Sequence, residues 1–132
     1  MTAAVVDASV LAVALVDDGP LGRRVRQRLL GSDLAAPEII DLEVASVVRR
    51  QALTGRLSTD RARQAMDDLA SLPLTRLSHR PLLARVWELH PNVTSYDAAY
   101  VASAELLAVP LLTADSKLAS APGLRCDFEI VS

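Results

Sequence analysis

Residues 109–119 read VPLLTADSKLA. An apolar run closes on Thr113, Asp115 follows, and a short helical pattern over 116–119 comes directly after. Strands of a parallel sheet are buried on both faces, so they read as continuous apolar runs rather than alternating ones. Residues 109–113 fit that description better than any other stretch. The amino terminus repeats the arrangement: residues 3–6 read AAVV, and Asp7 follows. In open parallel sheets the ligand site lies just beyond the carboxyl ends of the strands. Two acids at two such ends are expected to face one crevice.

Between these runs, strands alternate with helices. Further strands are expected over 34–36, 74–77 and, as an edge, 128–131. Asp18, Gly19 and Pro20 open a helix that Gly31 closes. A second runs over 38–52, with Ile40, Val44, Val47 and Val48 at helical spacing. Ser58 or Thr59 caps a third, which turns Ala62, Ala65, Met66 and Leu69 inward and ends before Pro73. Residues 80–90 form a fourth, with Leu83, Val86, Trp87 and His90 on one side. Thr94 or Ser95 caps an apolar helix over 96–107. Residues 8–17 are assigned to no element. Strands separated by helices imply parallel pairing and right-handed crossovers, an α/β fold.

The chain has 132 residues, 51% of them apolar and 3% aromatic, so its core is aliphatic and rich in its 21 Ala. One domain is expected at this length. Disorder and a disulfide scaffold are excluded, the latter because Cys126 is alone. There is no apolar run long enough to span a bilayer. MTAAVVDASV lacks a basic leader region, so an intracellular, cytoplasmic protein without a membrane partner is expected. The net charge of −2 excludes a protein held to nucleic acid by bulk charge, although 13 of its 14 cations are Arg. Arg forks suit phosphate and carboxylate partners.

The informative residues are acids in costly places. Asp7 and Asp115 end strands. Asp97 opens a helix whose following residues are almost all apolar. Glu43 borders an apolar stripe, beside Ile40 and Val47. Each has a plain structural alternative: Asp97 and Asp115 as helix caps, Glu43 in a pair with Arg50. Asp7 is the hardest to explain this way, since Ala8 and Ser9 leave it little to cap. Converging carboxylates repel and raise each other's pKa. A hard divalent cation with oxygen ligands resolves the conflict, and Mg²⁺ keeps several waters at such a site. Ser9, Thr113 and Ser116 set hydroxyls beside two of the acids, where they orient a carboxylate or a metal-bound water.

VVDASVLA (5–12), PEIIDLEVASVVRR (37–50), TSYDAAYVASAE (94–105) and PLLTADSKLA (110–119) together resemble a PIN domain, and more narrowly a VapC-type toxin of a type II toxin–antitoxin pair. The resemblance covers nearly the whole chain, and YDAAYVA and LLTAD are its most specific segments. It implies a PIN-like three-layer α/β/α sandwich with a mainly parallel sheet. It also implies an Mg²⁺- or Mn²⁺-dependent endoribonuclease whose acidic quartet is Asp7, Glu43, Asp97 and Asp115. A homodimer, a VapB-type antitoxin and an RNA substrate follow from the same resemblance. Where many relatives carry a further acid, this chain has Lys117.

The antitoxin's apolar groove is expected around Val44–Val48 and Leu21–Leu30, faces that serve equally as core. Arg49, Arg50, Arg56 and Lys117 are candidates to offset the acidic site, with Arg23, Arg24, Arg26 and Arg28 as a separate cluster. So few aromatics make phosphate and shape recognition, rather than base stacking, the main expected readout of RNA. His79 and His90 read as structural and Cys126 as inert. The rival readings are a phosphoacceptor domain of the receiver type and a non-catalytic interaction module. A receiver wants adjacent acids after its first strand, whereas Ala8 follows Asp7.

Overall fold

The computed structural model of the protein describes residues 2–132. Five strands, β1 (Thr2–Val6), β2 (Ser32–Pro37), β3 (Thr75–Leu77), β4 (Leu111–Thr113) and β5 (Phe128–Ile130), form one sheet in the order β3-β2-β1-β4-β5. Every neighbouring pair is parallel, with Val5 beside Ala35 on one side and Leu111 on the other. The central strands carry Val5, Val6, Ala36, Leu111 and Leu112 with essentially no exposure, as a sheet covered on both faces requires.

Seven α-helices connect the strands: α1 (Ala8–Val16), α2 (Pro20–Leu29), α3 (Ile40–Leu53), α4 (Thr59–Ser71), α5 (Leu83–Glu88), α6 (Ser95–Leu107) and α7 (Ser116–Ala119). The chain steps outward from β1 through β2 to β3, then returns across β1 to β4 and β5. Right-handed crossovers therefore put α1–α4 on one face and α5–α6 on the other, giving three layers. Order reverses between β1 and β4, so the switch point lies between the ends that carry Asp7 and Asp115.

Helix α1 lies where the sequence pattern assigns nothing. Its residues, ASVLAVALV, have no polar face, because the helix is walled in by α2, α3 and α4. This corrects the reading of Asp7: its carboxylate accepts from the Val10 N–H and caps α1. Close packing of α1 on α2 depends on Gly22, where an added Cβ would sit 1.8 Å from the Asp17 carbonyl oxygen.

Other expectations shift with the packing. The single helix expected over 80–90 is a 3₁₀ turn (Arg80–Leu82) followed by the short α5, and Leu83 and Trp87 lie open to solvent. Met66, expected inside, is 36% exposed. Val44, Val48 and Val25 are core, whereas Leu30 at the end of α2 is 79% exposed. Arg26 and Arg28 do not form a free basic cluster. Arg26 donates to the Ala14 and Asp17 carbonyls at the end of α1, and Arg28 forks onto Glu129 of β5. No described helix is long and apolar enough to cross a membrane.

Candidate active site

β1, β4, α3 and α6 deliver the four singled-out acids. The Asp7 N–H still pairs with the Leu112 carbonyl, so the last β1–β4 bond fixes where its side chain starts. Its Oδ1 accepts from Ser9 Oγ at 2.6 Å and from Val10 N at 3.1 Å. Ser9 Oγ in turn accepts from Ala114 N at 3.3 Å, which stitches the end of β1 to the segment leading to Asp115. Thr113 Oγ1, fully buried, accepts from Asp115 N at 3.0 Å. Asp115 caps α7, its Oδ1 taking the Lys117 and Leu118 N–H groups and leaving Oδ2 outside the cap. Ser116 is exposed at the first turn of α7, and its carbonyl accepts from Ser120 Oγ.

Asp97 lies in the first turn of α6, which Thr94 caps by accepting from Asp97 N at 3.2 Å. An acid there is favoured by the helix dipole. Seven consecutive residues behind it, Ala98–Ala104, are buried, so α6 is anchored all round. Burial raises the Asp97 pKa, and the charges of Asp115 and then Asp7 add to the rise. These three carboxylates therefore share one electrostatic environment at the switch point.

Glu43 joins them from the first turn of α3. It makes no pair with Arg50. Instead Tyr100, 2% exposed, donates its hydroxyl to Glu43 Oε1 at 2.5 Å. Burial foremost, then this carboxylate, pushes the Tyr100 phenol far above its ordinary range, so it stays protonated and serves as a donor. Tyr100 escaped the sequence reading because a Tyr in a buried helix reads as core. Its spacing of three from Asp97, which sets both on one helix face, was the available signal.

Other acids are neutralised where these are not. Asp18, Asp41, Glu105 and Glu129 are held by Arg61, Arg76, Arg85 and Arg28. Among the described residues, none of Asp7, Glu43, Asp97 and Asp115 makes an ion pair. A cleft of about 500 Å³ opens beside Asp97 and Asp115, and Lys117 lines it. Arg56 lines a different cleft, with Asp17, Asp18 and Arg61.

His79 takes a structural post, whereas His90 is exposed and lines the same cleft as Asp97. His79 Nε2 accepts from Ile39 N at 3.1 Å, and His90 Nδ1 lies 2.5 Å from the Trp87 carbonyl. Burial first, with Glu105 nearby, pushes the Cys126 thiol up to about 11, which suits an inert residue.

Residues 4–124 match the family model of the PIN domain. Over 132 residues the chain is 44% identical to Ribonuclease VapC1 of Mycobacterium tuberculosis, covering 99% of each protein. This chain belongs to the PIN-domain family, among the VapC ribonucleases. Membership removes the receiver reading. The fold agrees with that of VapBC2 from Rickettsia felis, at a TM-score of 0.73 and 13% identity over 99% of this chain and 100% of that one. It agrees also with the sarcin–ricin loop cleaving toxin VapC20 of Mycobacterium tuberculosis, at 0.68 and 14% over 92% and 96%. A PIN-domain ribonuclease needs a place where phosphate and water meet, and the open side of the switch point is where this chain concentrates unneutralised carboxylates.

Proposed function

We propose that this chain is a divalent-metal-dependent endoribonuclease, the toxin of a VapBC-type pair, with Asp7, Glu43, Asp97 and Asp115 as its metal-holding and catalytic residues. The observation that carries the reading is a set of carboxylates from four elements, gathered with no cationic partner and with the Asp97 pKa raised by burial first and then by Asp115 and Asp7. All-oxygen donors suit Mg²⁺ or Mn²⁺. No three His, Cys, Asp or Glu side chains among the described residues close around one point. When bound, such a metal lowers the pKa of a coordinated water and relieves charge on the phosphate.

The chain's own residues prepare that chemistry. Ser9 and the Val10 N–H both hold Asp7 Oδ1 and leave Oδ2 outside these bonds. The α7 N–H groups do the same for Asp115. Tyr100 engages Glu43 Oε1 and leaves Oε2 for the site. Lys117, on the rim, offsets the repulsion between an RNA phosphate and the acids. The VapBC2 name of the Rickettsia felis neighbour supports an antitoxin of the VapB type as partner. The homodimer, the single-domain organisation and the cytoplasmic setting belong to the same proposal and follow from the family resemblance.

The test compares wild type with Asp97→Asn on a structured RNA in Mg²⁺ or Mn²⁺. The substitution is nearly isosteric, keeps the Thr94 cap and removes one ligand charge. Cleavage should fall by about a hundred- to a thousandfold, the scale of losing one preorganised electrostatic contact. Wild-type cleavage by the variant would overturn the site. Expressed without its antitoxin, wild type should arrest growth and Asp97→Asn should not.

A further inference from the structure

The chain has a single Trp, and the structure spends it on the surface: Trp87 is 69% exposed at the end of α5. It is not loose there. The Trp87 and His90 rings are stacked, with centroids 4.0 Å apart and planes inclined by 11°. The His90 ring is also fixed by the contact of its Nδ1 with the Trp87 carbonyl, at 2.5 Å. The result is a rigid, two-ring aromatic platform that needs no ordering to receive a further flat ring. His90 also lines the ≈ 500 Å³ cleft that contains Asp97 and Asp115. Asn92 and Thr94 form polar parts of its wall, and Lys117 is the only Lys or Arg among its lining residues. Among the described residues Lys117 makes no ion pair, so its ammonium is available.

We propose that this cleft is a nucleotide subsite for RNA, in which the Trp87–His90 stack takes the base flanking the scissile bond and Lys117 takes its phosphate. The inference rests on the ribonuclease reading above and adds to it where the neighbouring nucleotide sits. Base stacking on aromatic rings tolerates any sequence, since every base has a π-face, and a nearby cation supplies the backbone contact. Asp97, Asp115 and Lys117 in the lining argue against a second copy of this chain as occupant, because the cores of protein interfaces are depleted in charged residues. The low aromatic content of the chain does not oppose this: one platform beside the acids is enough for one base.

The single Trp makes the test direct. Full-length protein carrying Asp97→Asn, which leaves RNA uncut, is titrated with a fluorescein-labelled, mixed-sequence single-stranded RNA 12-mer in Mg²⁺. Trp87 fluorescence should be quenched with the same midpoint as the rise in oligonucleotide anisotropy. Adding Trp87→Ala should weaken binding about tenfold, the scale of one stacked base. Trp87→Phe, which retains a stacking face and guards against a folding artefact, should restore most of it. Lys117→Ala should reduce the slope of log affinity against log salt by about 0.7, the value of one single-strand phosphate. Binding without quenching, and with Trp87→Ala within twofold, would overturn the subsite while leaving the ribonuclease reading intact. So would a Trp87→Ala variant that loses concentration-dependent dimerisation in sedimentation velocity yet binds RNA normally, since the face would then belong to a second copy. Intact RNA after incubation with wild type in Mg²⁺, a measurement independent of Trp87, would remove the ribonuclease reading and the subsite with it.

Discussion

Asp97 and Glu105 stand on one helix, about two turns apart, and are treated in opposite ways. Burial alone would raise the Glu105 pKa, but the Arg85 fork, at 2.7 and 3.1 Å, and the Arg125 N–H, at 2.8 Å, bring it below the ordinary range. Arg85 also donates to the Gly123 carbonyl, so the pair ties α5, α6 and the loop before β5 together. Asp97 receives no cation, and its charged neighbours are Asp115 and Asp7. One carboxylate is consumed by the fold. The other is half-buried with no cationic side chain paired to it, an arrangement that costs stability and leaves room for a cation from outside. The same contrast separates Asp41, forked by Arg76, from Glu43, which sits two residues later and meets only a neutral hydroxyl.

Breaking the compensated side should produce the largest effect on stability. Arg85→Ala strands a mostly buried carboxylate and frees the loop around Gly123. Losing hydrogen bonds to a charged group should cost about 2–3 kcal/mol. Denaturant unfolding should show the midpoint falling with its slope unchanged. RNA cleavage per folded molecule should be unaffected, because the four acids are untouched. A loss confined to activity would show that the braced end and the acidic end are one unit.

On the uncompensated side, Tyr100→Phe removes only the hydroxyl on Glu43. Outer-sphere partners of metal ligands are typically worth 10–100-fold in metal affinity. Mn²⁺ binding, followed by the electron paramagnetic resonance signal of the free ion, should weaken by about tenfold or more. With Glu43→Gln already present, Tyr100→Phe should add almost nothing, because its route to the metal is gone. Equal effects in both backgrounds would make Tyr100 a packing residue.

The sequence displayed the two ends unequally. Strand-terminal Asp7 and Asp115 were legible because a buried parallel strand reads as an uninterrupted apolar run, and an acid ends it conspicuously. Asp97 was legible because the helix behind it has no polar face. Helix α1 was not, for a related reason: packed among α2, α3 and α4, ASVLAVALV carries no polar face and so no period by which to tell helix from strand. The partners of charged groups were equally hidden. Arg28 meets Glu129 across 101 residues, and Tyr100 meets Glu43 across 57. Charge pairing over such separations leaves no mark on local spacing, so a free Arg and a braced one look alike until the chain is folded.

The smallest effect sharpens the contrast most, because it has the opposite sign to Arg85→Ala. The Asp97 pKa is raised in the folded protein, so between the ordinary aspartate range and that raised value the folded state binds more protons than the unfolded one. Metal-free stability must then fall as pH rises through this window, and the deficit persists at pH 7. Asp97→Asn removes the charge while keeping the side chain's shape, so in EDTA at pH 7 it should stabilise the protein. Asp97 is half-open to solvent, which screens its neighbours, and a gain of about 0.5 kcal/mol is the expected scale. Below the ordinary aspartate range the two proteins should melt together. Mn²⁺ at one hundred times its dissociation constant should raise wild-type stability by about 2.7 kcal/mol. The variant, with a ligand gone, should gain far less, so the order of the two melting curves inverts between EDTA and Mn²⁺. Calorimetry in the two buffers reads that inversion directly. A variant that melts lower in both would place Asp97 with Glu105, as a carboxylate that the fold needs for itself.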